Sequence, residues 1–137
     1  MTGALMQIYL AYLISRGAVS WPSGELLANA SKVGEGKQYG LEVHHIFPRK
    51  FVEKVQADFD VNTMANYAIL TRPDNASLAD EDPKIAYGML TLTQKRHAKE
   101  QFIPFGDEDA LVPDAFDVFV KHRAKDLAKA LNEFLGI

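Results

Sequence analysis

Between residues 114 and 135 apolar side chains recur at helical spacing: Phe116, Phe119, Val120, Leu127, Leu131, Phe134 and Leu135. Such a stripe demands a partner surface, because one face of the helix must be buried while the Lys- and Arg-rich remainder stays in water. We read it as core packing and not as a ligand groove. The chain has 137 residues, enough for one continuous core, and no cysteine, so neither a disulfide nor a Cys-ligated zinc braces the fold. Packing must hold it together. Hydrophobic residues make up 47% and charged residues 24%, a globular balance that excludes a mainly disordered chain.

Residues 4 to 16 read as a second helix, ended by Gly17 and apolar around most of its circumference. Such a helix wants burial on more than one side: it sits at the centre of the domain, or it meets a neighbour or a second copy. Residues 23 to 32 suggest a short helix and 34 to 40 a glycine-rich loop. The Gly34-Glu35-Gly36 pair of glycines lacks the Lys-Ser/Thr of a phosphate-binding loop, so we read it as a loop alone.

A strand fits 41 to 44 and must end before Pro48, which cannot donate to a ladder. Residues 49 to 56 suggest a turn or two of helix. A second strand fits 67 to 71, between the turn formers Asn66 and Pro73-Asp74-Asn75. Asp82 followed by Pro83 reads as an N-cap and first helical position, opening a helix through about Leu92. Residues 94 to 102 continue that helix or form another, and 104 to 113 form a loop.

The expected class is α+β and mostly helical, a single domain over residues 1–137. The longest apolar stretch, Leu5 to Ile14, falls short of the roughly 20 residues a spanning helix needs, and neither a basic leader nor an A-x-A cleavage site accompanies it. The expectation is a cytoplasmic protein with no membrane partner.

Chemistry concentrates in Leu41-Glu42-Val43-His44-His45-Ile46-Phe47-Pro48-Arg49. Successive side chains on a strand point to opposite faces, so His44 and His45 are suited to two different jobs rather than to one metal. Neutral imidazole ligates borderline divalent metals, and with an ordinary pKa of about 6.5 it can accept a proton from water near neutrality. One ring can hold a cation while its neighbour acts as base. A lone His-His pair is more often an ordinary hydrogen-bonded pair; what changes the reading is Met64-Ala65-Asn66-Tyr67-Ala68-Ile69-Leu70-Thr71-Arg72-Pro73-Asp74-Asn75 downstream.

The order of these residues resembles the HNH endonucleases of the ββα-metal (His-Me finger) superfamily. The resemblance implies a ββα-metal core of two short antiparallel strands plus a helix over residues 41–92, with a helical extension at 1–40 and a helical part at 93–137. By matching position, His44 falls at the first metal ligand, His45 at the general base, Asn66 at the middle asparagine that orients the loop or the imidazole, and Asn75 at the final ligand.

"EVHHIFPRKF", "ANYAILTRPDN", the proline-started helix and the terminal "FDVFVKHRAKDL" look similar to the C-terminal nuclease domain of GmrSD-type modification-dependent restriction enzymes. That likeness implies DNA cleavage in a prokaryotic restriction or defence system, beside a ParB-like nucleotide-hydrolysing domain. Many HNH enzymes carry Asp where His44 stands. Imidazole favours Mn, Co, Ni or Zn over Mg, so the implied cofactor is one divalent ion drawn from these five.

Arg49, Lys50 and Arg72 flank the motif as candidate phosphate contacts, though solvated surface charge explains them equally well. The net charge of −3 excludes a protein that grips nucleic acid by bulk positive charge, but an active site needs only a local cationic lining. Two further readings remain open: a metal-stabilised or nucleic-acid-binding module that does not cut, and an RNA-directed toxin nuclease. His97 and His122 fit solvated helix faces, Asp80-Glu81-Asp82 fits helix-start acids, and Asp107-Glu108-Asp109 fits a loop.

Overall fold

The computed structural model describes residues 3–30, 40–53, 60–103 and 111–137. Helix α1 (Ala4–Ser15) is followed by β1 (Val19–Ser20), β2 (Glu25–Leu26) and α2 (Leu27–Ala30). Strand β3 (Leu41–His45) leads to α3 (Arg49–Val52), and a 3-10 turn (Met64–Asn66) feeds β4 (Tyr67–Thr71). Helices α4 (Arg72–Leu78), α5 (Pro83–Gly88) and α6 (Leu92–Lys99) follow, then a 3-10 turn (Pro113–Ala115) and α7 (Phe116–Leu135). The fold is mostly helical with two small antiparallel sheets, β1-β2 and β3-β4, an α+β arrangement.

Strands β3 and β4 pair with His44 opposite Ala68 and His45 opposite Tyr67. Because faces alternate along a strand, β4 lies between two apolar clusters. Ala68 and Leu70 join Trp21, Phe47, Tyr87, Phe116 and Phe119. Ile69 joins Tyr9, Leu13, Leu127 and Leu131 on the other side. The run 67–71 therefore reads as nearly unbroken apolar sequence, as a strand covered on both faces must.

Several expectations are corrected. Residues 23–32 are not a helix throughout: Gly24, at φ 80°, turns the chain and donates its N–H to Ser20 O at 2.8 Å, so a small hairpin precedes the single turn α2. Pro73-Asp74-Asn75, expected as turn formers, belongs to the first turn of α4 itself, since Thr71 Oγ1 accepts the Asp74 N–H at 3.3 Å and proline tolerates an early helical position. The Asp82-capped helix stops at Gly88 rather than near Leu92. A new helix starts where Thr91 and Gln94 form a reciprocal capping box.

Helix α1 buries Met6, Tyr9, Tyr12 and Leu13 and leaves Leu5 53% exposed. On α7, Phe116, Phe119, Leu127 and Leu131 are buried as the stripe requires, but Phe134 and Leu135 are exposed at its end. Of the expected loop at 34–40 all but Gly40 lies outside the described residues, as do the end of the 49–56 segment and Asp107-Glu108-Asp109. No described helix is long and apolar enough to cross a membrane.

Candidate functional site

Where β3 ends and α4 begins, a cleft of about 370 Å³ opens, lined among others by His44, His45, Arg49, Asn62, Asn75 and Asp80. Its two histidines occupy different environments, as alternation along β3 demands. His44 is only 5% exposed. Its Nδ1 lies 3.0 Å from Asn75 Oδ1 and its Nε2 lies 3.1 Å from the Tyr87 hydroxyl. The Trp21 ring meets it edge-on at 5.8 Å. His45 is half-buried, with Nε2 2.9 Å from Asn62 Oδ1 and its ring edge-on to Tyr67 at 5.2 Å.

The orientation of Asn75 is set from behind. Asn75 Nδ2 donates to Glu42 Oε1 at 3.2 Å, while Arg72 Nε donates to Glu42 Oε2 at 3.1 Å. A carboxylate only accepts, so the Asn75 amide nitrogen must face Glu42 and its oxygen must face His44. The bond from Asn75, and after it that from Arg72, holds the Glu42 carboxyl below its ordinary pKa. The first turn of α4 is anchored below by Asp74, whose carboxylate accepts the hydroxyls of Ser20 at 2.5 Å and Ser23 at 2.7 Å. The small hairpin thus clamps the helix that presents Asn75.

Asn66 is fully buried and binds backbone only. Its Oδ1 accepts the Phe47 N–H at 2.9 Å, and its Nδ2 donates to Phe47 O at 3.0 Å and Val61 O at 2.9 Å. It staples the segment after β3 to the segment before the 3-10 turn. It makes no hydrogen bond to the His45 ring, so its orienting effect acts on the loop. The cations expected to meet phosphate are engaged to different degrees. Arg72 binds Glu42, exposed Arg49 pairs with Glu53 at 3.3 Å beside the cleft, and Lys50 lies 5.1 Å from the Phe51 ring centroid. Arg49 alone of the three lines the cleft.

Tyr87, Asn62 and Trp21 were missed in the sequence, where no motif marks them, and Glu42, though inside the histidine motif, was given no role. Among the described residues no three His, Cys, Asp or Glu side chains gather as a metal-binding group.

Burial drives the His44 pKa from 6.5 to about 4, overcoming the opposing contribution of the Asn75 bond. The folded chain thus holds His44 neutral where the unfolded chain would protonate it. The stabilising contribution is complete above pH 6.5 and is lost as pH falls toward 4, in total about 3 kcal/mol. Urea midpoints of the chain in chelator-containing buffer should fall across that window, and His44→Gln should flatten the slope. An equal slope in both proteins would contradict it.

No family model matches the sequence, and neither a curated protein nor a solved structure matches the chain.

Proposed function

We propose that the chain is a metal-dependent HNH-type endonuclease domain acting on DNA, with a ββα-metal core formed by β3, β4 and α4. The observation that carries this reading is the approach of His44 Nδ1 and Asn75 Oδ1 to 3.0 Å, across 31 positions of sequence, in a cleft that His45 also lines. Two donors held at right angles about 2.1 Å from one cation stand about 3.0 Å apart, so the pair fits a divalent ion. The chemistry fits too: imidazole nitrogen and amide oxygen suit ions between the hard and borderline classes. Tyr87 at Nε2 is the outer partner that a ligating imidazole needs. Two protein donors leave the remaining positions to water and phosphate oxygens.

A bound cation supplies charge neutralisation at the phosphate and its leaving oxygen. The residues divide the remaining work. His44 and Asn75 hold the ion, Glu42 and Tyr87 keep the two donors aimed, and Arg49 contacts phosphate at the cleft edge. His45 accepts the proton of the attacking water at a ring nitrogen. The Asn66 staple keeps the backbone on both sides of His45 in register. Membership of a restriction or defence system, and pairing with a ParB-like nucleotide-hydrolysing domain, belong to the same proposal.

The test uses the chain's one tryptophan, which lies against His44. Manganese should quench Trp21 emission saturably in the wild type and not in His44→Ala or Asn75→Ala. Supercoiled plasmid should be nicked with at least one of Mg, Mn, Co, Ni or Zn, and chelation should stop it. Saturable quenching without nicking would favour a non-cutting module. Cleavage of RNA but not DNA would favour the toxin reading, and neither quenching nor cleavage with any ion would end the proposal.

A further inference from the structure

We infer that Asn62 is the positioning residue of His45, holding its imidazole with the proton on Nε2 so that Nδ1 is the basic atom. The inference rests on the general-base reading above and adds a residue to it. A neutral imidazole carries one N–H and one lone pair, and whatever binds one nitrogen decides which atom can take a proton. Asn62 Oδ1 lies 2.9 Å from His45 Nε2, and an amide oxygen only accepts. The Nε2 proton is therefore retained. Among the described residues no group bonds to Nδ1, which keeps its lone pair. Were the Asn62 amide turned so that Nδ2 met the ring, the tautomer would invert and the free nitrogen would be the protonated one.

The asparagine is built to stay in place although its side chain is exposed. Its own N–H donates to Asp60 Oδ1 at 2.8 Å. The preceding residue, Val61, is buried in the core, and its carbonyl accepts from Asn66 Nδ2 at 2.9 Å. The Asn66 staple thus reaches His45 indirectly, by fixing the backbone that carries Asn62. On its other side the imidazole meets Tyr67, its direct cross-strand partner, edge-on at 5.2 Å. Ring plane and tautomer are set by two neighbours before any substrate arrives, the arrangement in which a third group orients the base of a catalytic pair.

The test reads the tautomer directly and needs neither metal nor substrate. Long-range ¹⁵N NMR of the metal-free chain, in mildly alkaline buffer where imidazole is neutral, should find His45 protonated at Nε2. Asn62→Leu removes the acceptor and should give a mixture of tautomers with unchanged circular dichroism. Asn62→Asp keeps an acceptor and should restore the Nε2–H form. In cleavage assays Asn62→Leu should lower kcat by about 10- to 100-fold with KM nearly unchanged, and Asn62→Asp should recover most of that loss.

A wild-type His45 carrying its proton on Nδ1, or an Asn62→Leu protein with unaltered tautomer and unaltered kcat, would overturn the inference even if the chain cuts DNA. A chain that cuts nothing but shows the Asn62-dependent tautomer would instead sink the nuclease reading and leave the positioning of His45 supported.

Discussion

DNA cleavage by the His45→Ala protein is expected to fall about 10²- to 10⁴-fold, the usual contribution of a positioned proton acceptor, while the fold and the ion site survive. The separation follows from where the two histidines sit. His45 is half-buried, and its contacts are the exposed Asn62 and the edge of Tyr67, so truncation opens no core cavity and the melting temperature should change little. His44 is packed against Trp21 and bonded at both nitrogens, so the same truncation there would cost stability and ion binding together. The discriminating measurement pairs cleavage with manganese quenching of Trp21. His45→Ala should quench as the wild type does and cut scarcely at all. A variant that cuts within about threefold of the wild type would remove His45 from the proton-accepting role. One that loses quenching as well would undo the assignment of the ion to His44 and Asn75.

How much of this was legible in the sequence depended on whether a residue's partner is periodic, local or distant. The β3-β4 pair could be read because its apolar and β-branched residues are bounded by prolines and turn formers, and the order of His44, His45, Asn66 and Asn75 followed from it. The β1-β2 hairpin could not, because two-residue strands carry no periodicity, and Gly24 alone marks the turn. Pro73 misled for a chemical reason: proline ends a strand and also opens a helix, and only the Thr71 cap decides between them. Asn66 stands out in the sequence as a turn former at the head of β4, but its backbone partners at Phe47 and Val61 lie in segments whose approach no spacing encodes. Asn62, Glu42 and Tyr87 matter only through the groups they face. Their positions become informative once β3 and α4 are in place.

Arg123, which no sequence motif singles out, carries the largest expected effect on stability. It lies in a Lys- and Arg-rich stretch that suggests a solvated helix face, yet it is 2% exposed. Its Nη1 donates to Ala65 O at 2.8 Å and Met64 O at 3.2 Å. Nη2 donates to Gln101 O at 2.9 Å and to the Tyr9 hydroxyl at 3.3 Å. Gln101 in turn stands in for a missing strand along β4, since its Nε2 donates to Ile69 O and its Oε1 accepts the Ile69 N–H, both at 2.8 Å. The guanidinium therefore ties α7 to the turn that contains Asn66 and to the residue that finishes the sheet edge.

No carboxylate pairs with Arg123 among the described residues; its charge is met by carbonyl dipoles, and burial lowers its pKa. Two effects compete in Arg123→Met. Removing a buried charge relieves its desolvation, but the carbonyls of Ala65 and Gln101 are left buried without a donor, and Met64 O keeps only the Tyr67 N–H. Each orphaned carbonyl costs about 1–3 kcal/mol, so their sum outweighs the relief and the expected loss is about 3–5 kcal/mol. For a chain of this size that is a fall of roughly 10–20 °C in melting temperature. Arg123→Lys should recover little of it, because one ammonium cannot span three carbonyls in a planar fork. Urea unfolding measures the loss; a value under about 1 kcal/mol for Arg123→Met would mean that those carbonyls find other donors, and that the turn holding Asn66 is secured by its own staple rather than from α7.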